Sequence, residues 1–217
     1  MKLKGLTINF LGDSITEGYG TSGPEAIYHA ILKKEAKLKL ARNFGIGSTR
    51  FASQRGTELK PKNDTTDVWS FSERFADMND DADAVVVFGG TNDFGHGDAP
   101  FGTFNDRTPD TFFGACHYIF SGLVKKYPDK PIVVITPLHR TWPSDKGDDL
   151  MHLRDYVNAI REVAEYYSLP VLDLYATSGM QPAIPEIKER YMPDGLHPND
   201  DGHKIIAHKL KVFLENL

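Results

Sequence analysis

Short apolar runs alternate with amphipathic stretches along this chain. The apolar runs at residues 6–11, 38–44, 84–88, 132–136 and 171–174 have the length of strands, and helical spacing of apolar residues marks 24–37, 71–78, 109–127, 150–167 and 202–214. The alternation predicts five βα units, with parallel strands covered by helices on both faces. Residues 85–88 and 132–135 are almost wholly apolar, as strands buried on both sides must be, so they belong in the middle of the sheet. The expected architecture is α/β, a three-layer α/β/α sandwich of about five parallel strands, in one domain over 1–217. Three segments break the pattern and read as long loops: 54–67, rich in Lys, Asp, Thr and Gly; 92–108, with several glycines and aromatics; and 138–149. Loops of this length at strand ends are where a site is built.

Composition narrows the partners. The chain has 217 residues, 40% hydrophobic and 25% charged, long enough to bury a core without disulfides or a structural metal. A formal net charge of -5 gives no electrostatic footprint for nucleic acid, whose phosphates need clustered Lys and Arg. No stretch approaches the roughly 18 to 20 apolar residues of a membrane helix, and the first residues lack the length and cleavage site of a signal peptide. The expectation is a cytoplasmic protein with neither membrane nor nucleic-acid partner. No coiled-coil heptad announces an oligomer. The single cysteine, Cys116, sits in the apolar setting FFGACHYIF and reads as a helix face packed in the core.

Four short blocks carry chemistry, each at a predicted strand end or helix start. The first is GDSIT, Gly12 to Thr16, directly after the first strand. In a doubly wound sheet the carboxyl ends of the strands border the ligand crevice, which places Ser14 where substrates bind. A serine needs a base to become nucleophilic at neutral pH. The fourth block, DGLHPN, supplies one: Asp194 and His197 are three residues apart, so a single tight turn can aim an imidazole at Ser14 and a carboxylate at its other nitrogen. Asn199 or Asp200 would cap the helix that follows. Acyl transfer also builds charge on the carbonyl oxygen, and the middle blocks offer donors for it. NFGIGST, 43–49, has glycines that let backbone N–H groups turn toward a ligand, and GGTND, 89–93, presents the Asn92 amide; the N–H of Ser14 completes the set.

GDS, N-x-G-x-G, GGTND and DGLHPN, in this order, resemble the diagnostic blocks of the GDSL/SGNH hydrolases, a family of serine esterases and lipase-like acylhydrolases, over residues 12–199. The resemblance implies a flavodoxin-like fold and hydrolysis of a small-molecule ester or thioester with no metal or other cofactor. It also implies catalytic roles for Ser14, the donor of the second block, Asn92, His197 and Asp194. One departure stands: many relatives have a further glycine after GIG, where this chain has Ser48, so Gly47 and Ser48 are rival oxyanion donors beside Ser14 and Asn92. His96 and His139 follow predicted strands and are substrate-contact candidates, weighed against roles in holding their loops; Arg140 and Trp142 share the second loop.

Other readings compete. Asp13, Asn92, Asp93, Asp194 and His197 are ligand types for a metal-dependent phosphoesterase. Residues 18–23, GYGTSG, match G-x-G-x-x-G, although GDSITE separates the match from its strand, unlike a dinucleotide fingerprint. A non-catalytic binder of acylated ligands is the third. Within esterases, the polar loops and the lack of an apolar lid run favour a short acyl group, with acetyl on a carbohydrate ahead of lysophospholipase or thioesterase activity.

Overall fold

The computed structural model describes residues 1–53, 70–141 and 151–217. Five strands, β1 (Thr7–Gly12), β2 (Leu40–Gly45), β3 (Ala84–Phe88), β4 (Ile132–Ile135) and β5 (Val171–Leu172), form one sheet of order β2-β1-β3-β4-β5, every pair parallel. The most apolar runs, β3 and β4, lie inside it as expected. Around the sheet are α1 (Ser14–Glu17), α2 (Tyr28–Ala36), α3 (Phe71–Arg74), α4 (Thr91–His96), α5 (Phe112–Lys126), α6 (Leu153–Tyr166), α7 (Leu174–Thr177), α8 (Pro185–Tyr191) and α9 (Asp200–Glu215).

Alternate strand residues feed two separate cores, as the two-residue period of a strand requires. Ile8, Phe10, Val86, Phe88, Val133 and Ile135 face one layer, where they meet Tyr28 and Leu32 of α2 and Ile206, Leu210 and Leu214 of α9. Leu11, Val85, Val87, Ile132 and Val134 face the other, against Cys116, Ile119 and Leu123 of α5 and Tyr156, Ile160 and Val163 of α6. Cys116 is fully buried on α5, and burial pushes its thiol well above the usual range. The layers are those of an α/β/α sandwich. Among the described residues no helix is long and apolar enough to cross a membrane.

The differences from expectation have local causes. The segment 92–108 is not all loop: GGTND opens α4, which runs to His96 after Gly90 adopts a φ of 101°. The fifth strand stops at Leu172 because the Asp173 side chain accepts the Ala176 N–H and starts α7. The expected helix over 24–37 is a 3₁₀ turn, Pro24–Ala26, followed by α2. The segment 54–67, and 138–149 beyond Thr141, lie outside the described residues.

Candidate active site

Four strands end level. Gly12 pairs with Gly45 and with Phe88, and Phe88 pairs with Ile135, so the segments leaving β1, β2, β3 and β4 emerge side by side. Ser14 arrives through an abrupt change of direction. Asp13 is the N-cap of α1 and its side chain accepts the Ile15 N–H at 3.0 Å. Burial pushes its carboxyl up to about 7, against the pull of that N–H and of Arg74. Ser14 is thereby the first helical residue, whose own N–H has no intrahelical acceptor.

His197 comes from the turn before α9. The Asp194 carboxylate folds this turn around itself: Oδ1 accepts the N–H groups of Leu196 at 2.8 Å and of His197 at 2.7 Å. Its Oδ2 lies 2.7 Å from His197 Nδ1, and His197 Nε2 lies 2.9 Å from Ser14 Oγ. Burial alone would raise the Asp194 carboxyl; the two backbone donors and the imidazole outweigh it and hold the group below the usual carboxylate range. A carboxylate only accepts, so Nδ1 carries the proton and Nε2 presents its lone pair to the serine hydroxyl. Asn199 caps α9, its side chain accepting from Asp201 and Gly202 at 3.1 Å each.

The glycine pattern at 18–23 straps this turn to the serine segment. Tyr19 lies with its ring centroid 4.4 Å from that of His197, a Cβ on Gly20 would meet the Pro198 carbonyl at 2.7 Å, and Ser22 donates twice to the Asp200 carboxylate, at 2.8 and 2.6 Å. The approach to Pro198 accounts for Gly20, and Gly18 ends α1 in left-handed backbone at φ 111°.

The second and third blocks close the other side. Gly47 lies against the serine, where a Cβ would come within 3.8 Å of Ser14 Cβ, and its N–H donates to Glu17 Oε2 at 2.8 Å. Ser48 sits in left-handed backbone at φ 62°, a conformation that favours glycine. Asn92 donates from Nδ2 to the Thr49 carbonyl at 3.0 Å and accepts at Oδ1 from His96 Nε2 at 3.2 Å. One amide hydrogen of Asn92 remains for a ligand after the bond to Thr49. Asp93 ties the blocks together by accepting the Phe51 and Ala52 N–H groups at 2.9 and 3.0 Å. Arg74 bonds Gly12 O at 2.7 Å, Thr49 Oγ1 at 2.9 Å and Phe44 O, stitching the ends of β1 and β2 to the Thr49 turn.

Between these segments lies a cavity of about 350 Å³, lined by Ser14, Glu17, Tyr19, Gly47, Ser48, Asn92, His96, Arg140, Leu196 and His197. Sequence reasoning missed Glu17 and Tyr19. The signal for Glu17 was its position three residues after Ser14 on the same helix, which places both side chains on one face. Arg140 reaches the cavity while donating to Thr91 O at 2.9 Å and to its hydroxyl at 3.1 Å. His139 does not line this cavity; it stacks on Tyr175 with centroids 3.9 Å apart. Trp142 lies outside the described residues. A wider surface groove of about 750 Å³ around Pro24, Ile31 and Lys204 holds no Ser–His pair. Among the described residues no group of three His, Cys, Asp or Glu side chains is placed to hold a metal ion; Asp13, Asp93 and Asp194 point instead at backbone N–H groups.

The arrangement can remove a proton from Ser14 and offer N–H groups nearby. Residues 10–205 match the model of the GDSL-like lipase/acylhydrolase family. No curated protein matches the chain. Among solved structures, a protein from Lactobacillus plantarum is 32% identical, with 99% of this chain and 98% of that one covered and a TM-score of 0.82. The lipase/acylhydrolase from Enterococcus faecalis is 19% identical, covering 97% and 96%, at a TM-score of 0.62. An acetyl xylan esterase is 21% identical, covering 94% and 98%, at a TM-score of 0.61. With nine-tenths of its length inside the family's pattern, the chain belongs to the GDSL-like lipase/acylhydrolase family of carboxylic ester hydrolases.

Proposed function

We propose that this hydrolase cleaves short-chain esters, an acetyl group on a carbohydrate foremost, through an acyl-enzyme on Ser14. The observation that carries the reading is the chain Ser14 Oγ, His197, Asp194, with links of 2.9 and 2.7 Å. His197 takes the Ser14 proton as the hydroxyl attacks the ester carbonyl, and Asp194 stabilises the imidazolium that results. The proton then passes to the leaving alcohol, and water, with His197 again as base, releases the acid. The oxyanion is held by the N–H of Ser14, the free amide hydrogen of Asn92 and a donor of the second block. For that last donor Ser48 is favoured over Gly47, because the Gly47 N–H is already given to Glu17.

The cavity supports the short-acyl preference. Its volume is at the small end for ligand sites, and among the described residues that line it only Leu196 has an aliphatic side chain. A long acyl chain needs apolar walls, whereas Glu17, Asn92 and Arg140 suit a polar alcohol such as a sugar. The acetyl xylan esterase with the same fold is consistent with that choice.

The test is hydrolysis of p-nitrophenyl acetate and p-nitrophenyl octanoate, with a chelator present, by the wild type and by Ser14→Ala. The acetate should be the better substrate, and Ser14→Ala should lose at least about 10³-fold in kcat. Equal activity of the two proteins would remove Ser14 from the mechanism, and a preference for octanoate would remove the short-acyl assignment. Acetylated sugars are then the panel for the natural alcohol.

A further inference from the structure

We infer that His96 is a positioning residue, locked by the buried Arg50 as the tautomer that aims and polarises the Asn92 amide; this rests on the reading of Asn92 as an oxyanion donor.

The argument starts from groups that have only one hydrogen-bonding role. The Arg50 side chain is 1% exposed, is paired with Asp98, and places Nη2 3.1 Å from His96 Nδ1. A guanidinium can only donate, so Nδ1 is the accepting nitrogen and the imidazole proton sits on Nε2. That Nε2–H points at Asn92 Oδ1, 3.2 Å away. At the other end of the amide, the Thr49 carbonyl can only accept, and Asn92 Nδ2 donates to it at 3.0 Å. Donor-only Arg50 and acceptor-only Thr49 therefore fix both the ring tautomer and the amide orientation, and neither can be reversed without breaking two bonds. A flipped Asn92 would turn an oxygen toward the oxyanion.

The chain acts in two ways. It removes the rotational freedom of the amide, so the remaining Nδ2 hydrogen is held toward the cavity instead of being oriented during reaction. Donation into Oδ1 also withdraws electron density from the amide and strengthens its N–H as a donor, since linked hydrogen bonds polarise one another. His96 and Asn92 are four residues apart on α4, the spacing that stacks side chains on one helix face, and Arg50 follows Thr49 in the turn after the second block. The second block thus braces the third from both ends of one amide.

The experiment is a double-mutant cycle on kcat and KM with p-nitrophenyl acetate, using Asn92→Ala, His96→Ala and both together, with His96→Gln as the conservative variant. Thermal unfolding shows that each protein is folded. Asn92→Ala should lose about 10²- to 10³-fold in kcat, as removal of one oxyanion donor does. His96→Ala should lose about 10- to 100-fold in kcat with KM changed less than about twofold, the size expected for a slightly misplaced group. The double variant should be no slower than Asn92→Ala, because His96 acts through the amide. A Gln side chain can bring an N–H near the place of Nε2, so His96→Gln should recover most of the loss.

Losses that multiply in the double variant, or a His96→Ala effect carried by KM, would make His96 a direct substrate contact and overturn the inference. So would a kcat loss in His96→Gln as large as in His96→Ala. If Asn92→Ala itself keeps full kcat, Asn92 is not an oxyanion donor, and both the inference and that part of the proposed mechanism fall. If Asn92→Ala is slow and His96→Ala is not, the inference alone falls.

Discussion

At Asp194, one carboxylate oxygen is held by the Leu196 and His197 N–H groups, leaving the second to the imidazole. An asparagine in its place keeps its oxygen where the two backbone donors are and must present its NH₂ to Nδ1. Nδ1 then becomes the acceptor, the ring proton moves to Nε2, and the nitrogen facing Ser14 can no longer take a proton. Asp194→Asn should therefore lose about 10³- to 10⁴-fold in kcat with the unfolding temperature nearly unchanged, because the turn keeps its bonds. A variant within tenfold of wild type would show that the carboxylate does not set the tautomer. Sequence held this pair in plain view, since Asp194 and His197 are three residues apart in one turn. The Arg50, His96 and Asn92 chain was not legible in the same way: Arg50 and His96 are brought together by the sheet across 46 residues, and no local pattern marks that contact.

The elements matter because the site is built from strand ends, and glycine at those ends allows the approach. A Cβ on Gly45 would lie 2.2 Å from the Glu17 nitrogen and 2.5 Å from the Thr16 carbonyl carbon, both main chain of the helix that bears Ser14. Neither atom can yield without moving α1. Gly45→Ala is expected to cost about 1 to 3 kcal/mol or more in urea unfolding, as overpacking does, and to reduce kcat as Ser14 shifts from His197. Gly23→Ala is the control: its Cβ meets nothing within 4 Å, its backbone is extended, and the change should stay within about 0.5 kcal/mol. Equal stability of the two variants would contradict the packing argument. The same physics explains which elements the chain pattern revealed. The helices α2, α5, α6 and α9 bury a face, so apolar residues recur at helical spacing and mark them. Helix α8 buries no residue, and the six-residue α4 has a glycine inside it, so neither leaves a hydrophobic period to read.

For the molecule as a whole, the interface of α2 with α9 makes stability depend on pH. His203 of α9 is fully buried, and its Nδ1 accepts the Tyr28 N–H at the start of α2, 3.1 Å away. That bond needs a neutral imidazole, because a protonated ring has no acceptor. Burial, helped by the nearby His29, lowers the His203 pKa from 6.5 to about 4, and burial likewise lowers His29 to about 4. With the folded pKa depressed, the unfolded chain binds the proton more readily between pH 4 and 6.5. The stabilisation from a neutral His203 is complete above 6.5 and declines as the pH falls toward 4. Asp13 and Asp93, raised by burial to about 7 and about 6, work the other way, favouring the folded state as the pH drops through the same range. The net pH dependence of the wild type is therefore smaller than the histidines alone would give, and a difference between variants isolates one of them. His203→Gln keeps a neutral acceptor and removes one titration. Between pH 8 and pH 5, unfolding by urea should show the wild type losing about 2 kcal/mol more than the variant. Parallel losses in the two proteins would mean that His203 titrates alike in the folded and unfolded chain, and that the neutral imidazole is not what joins α9 to α2.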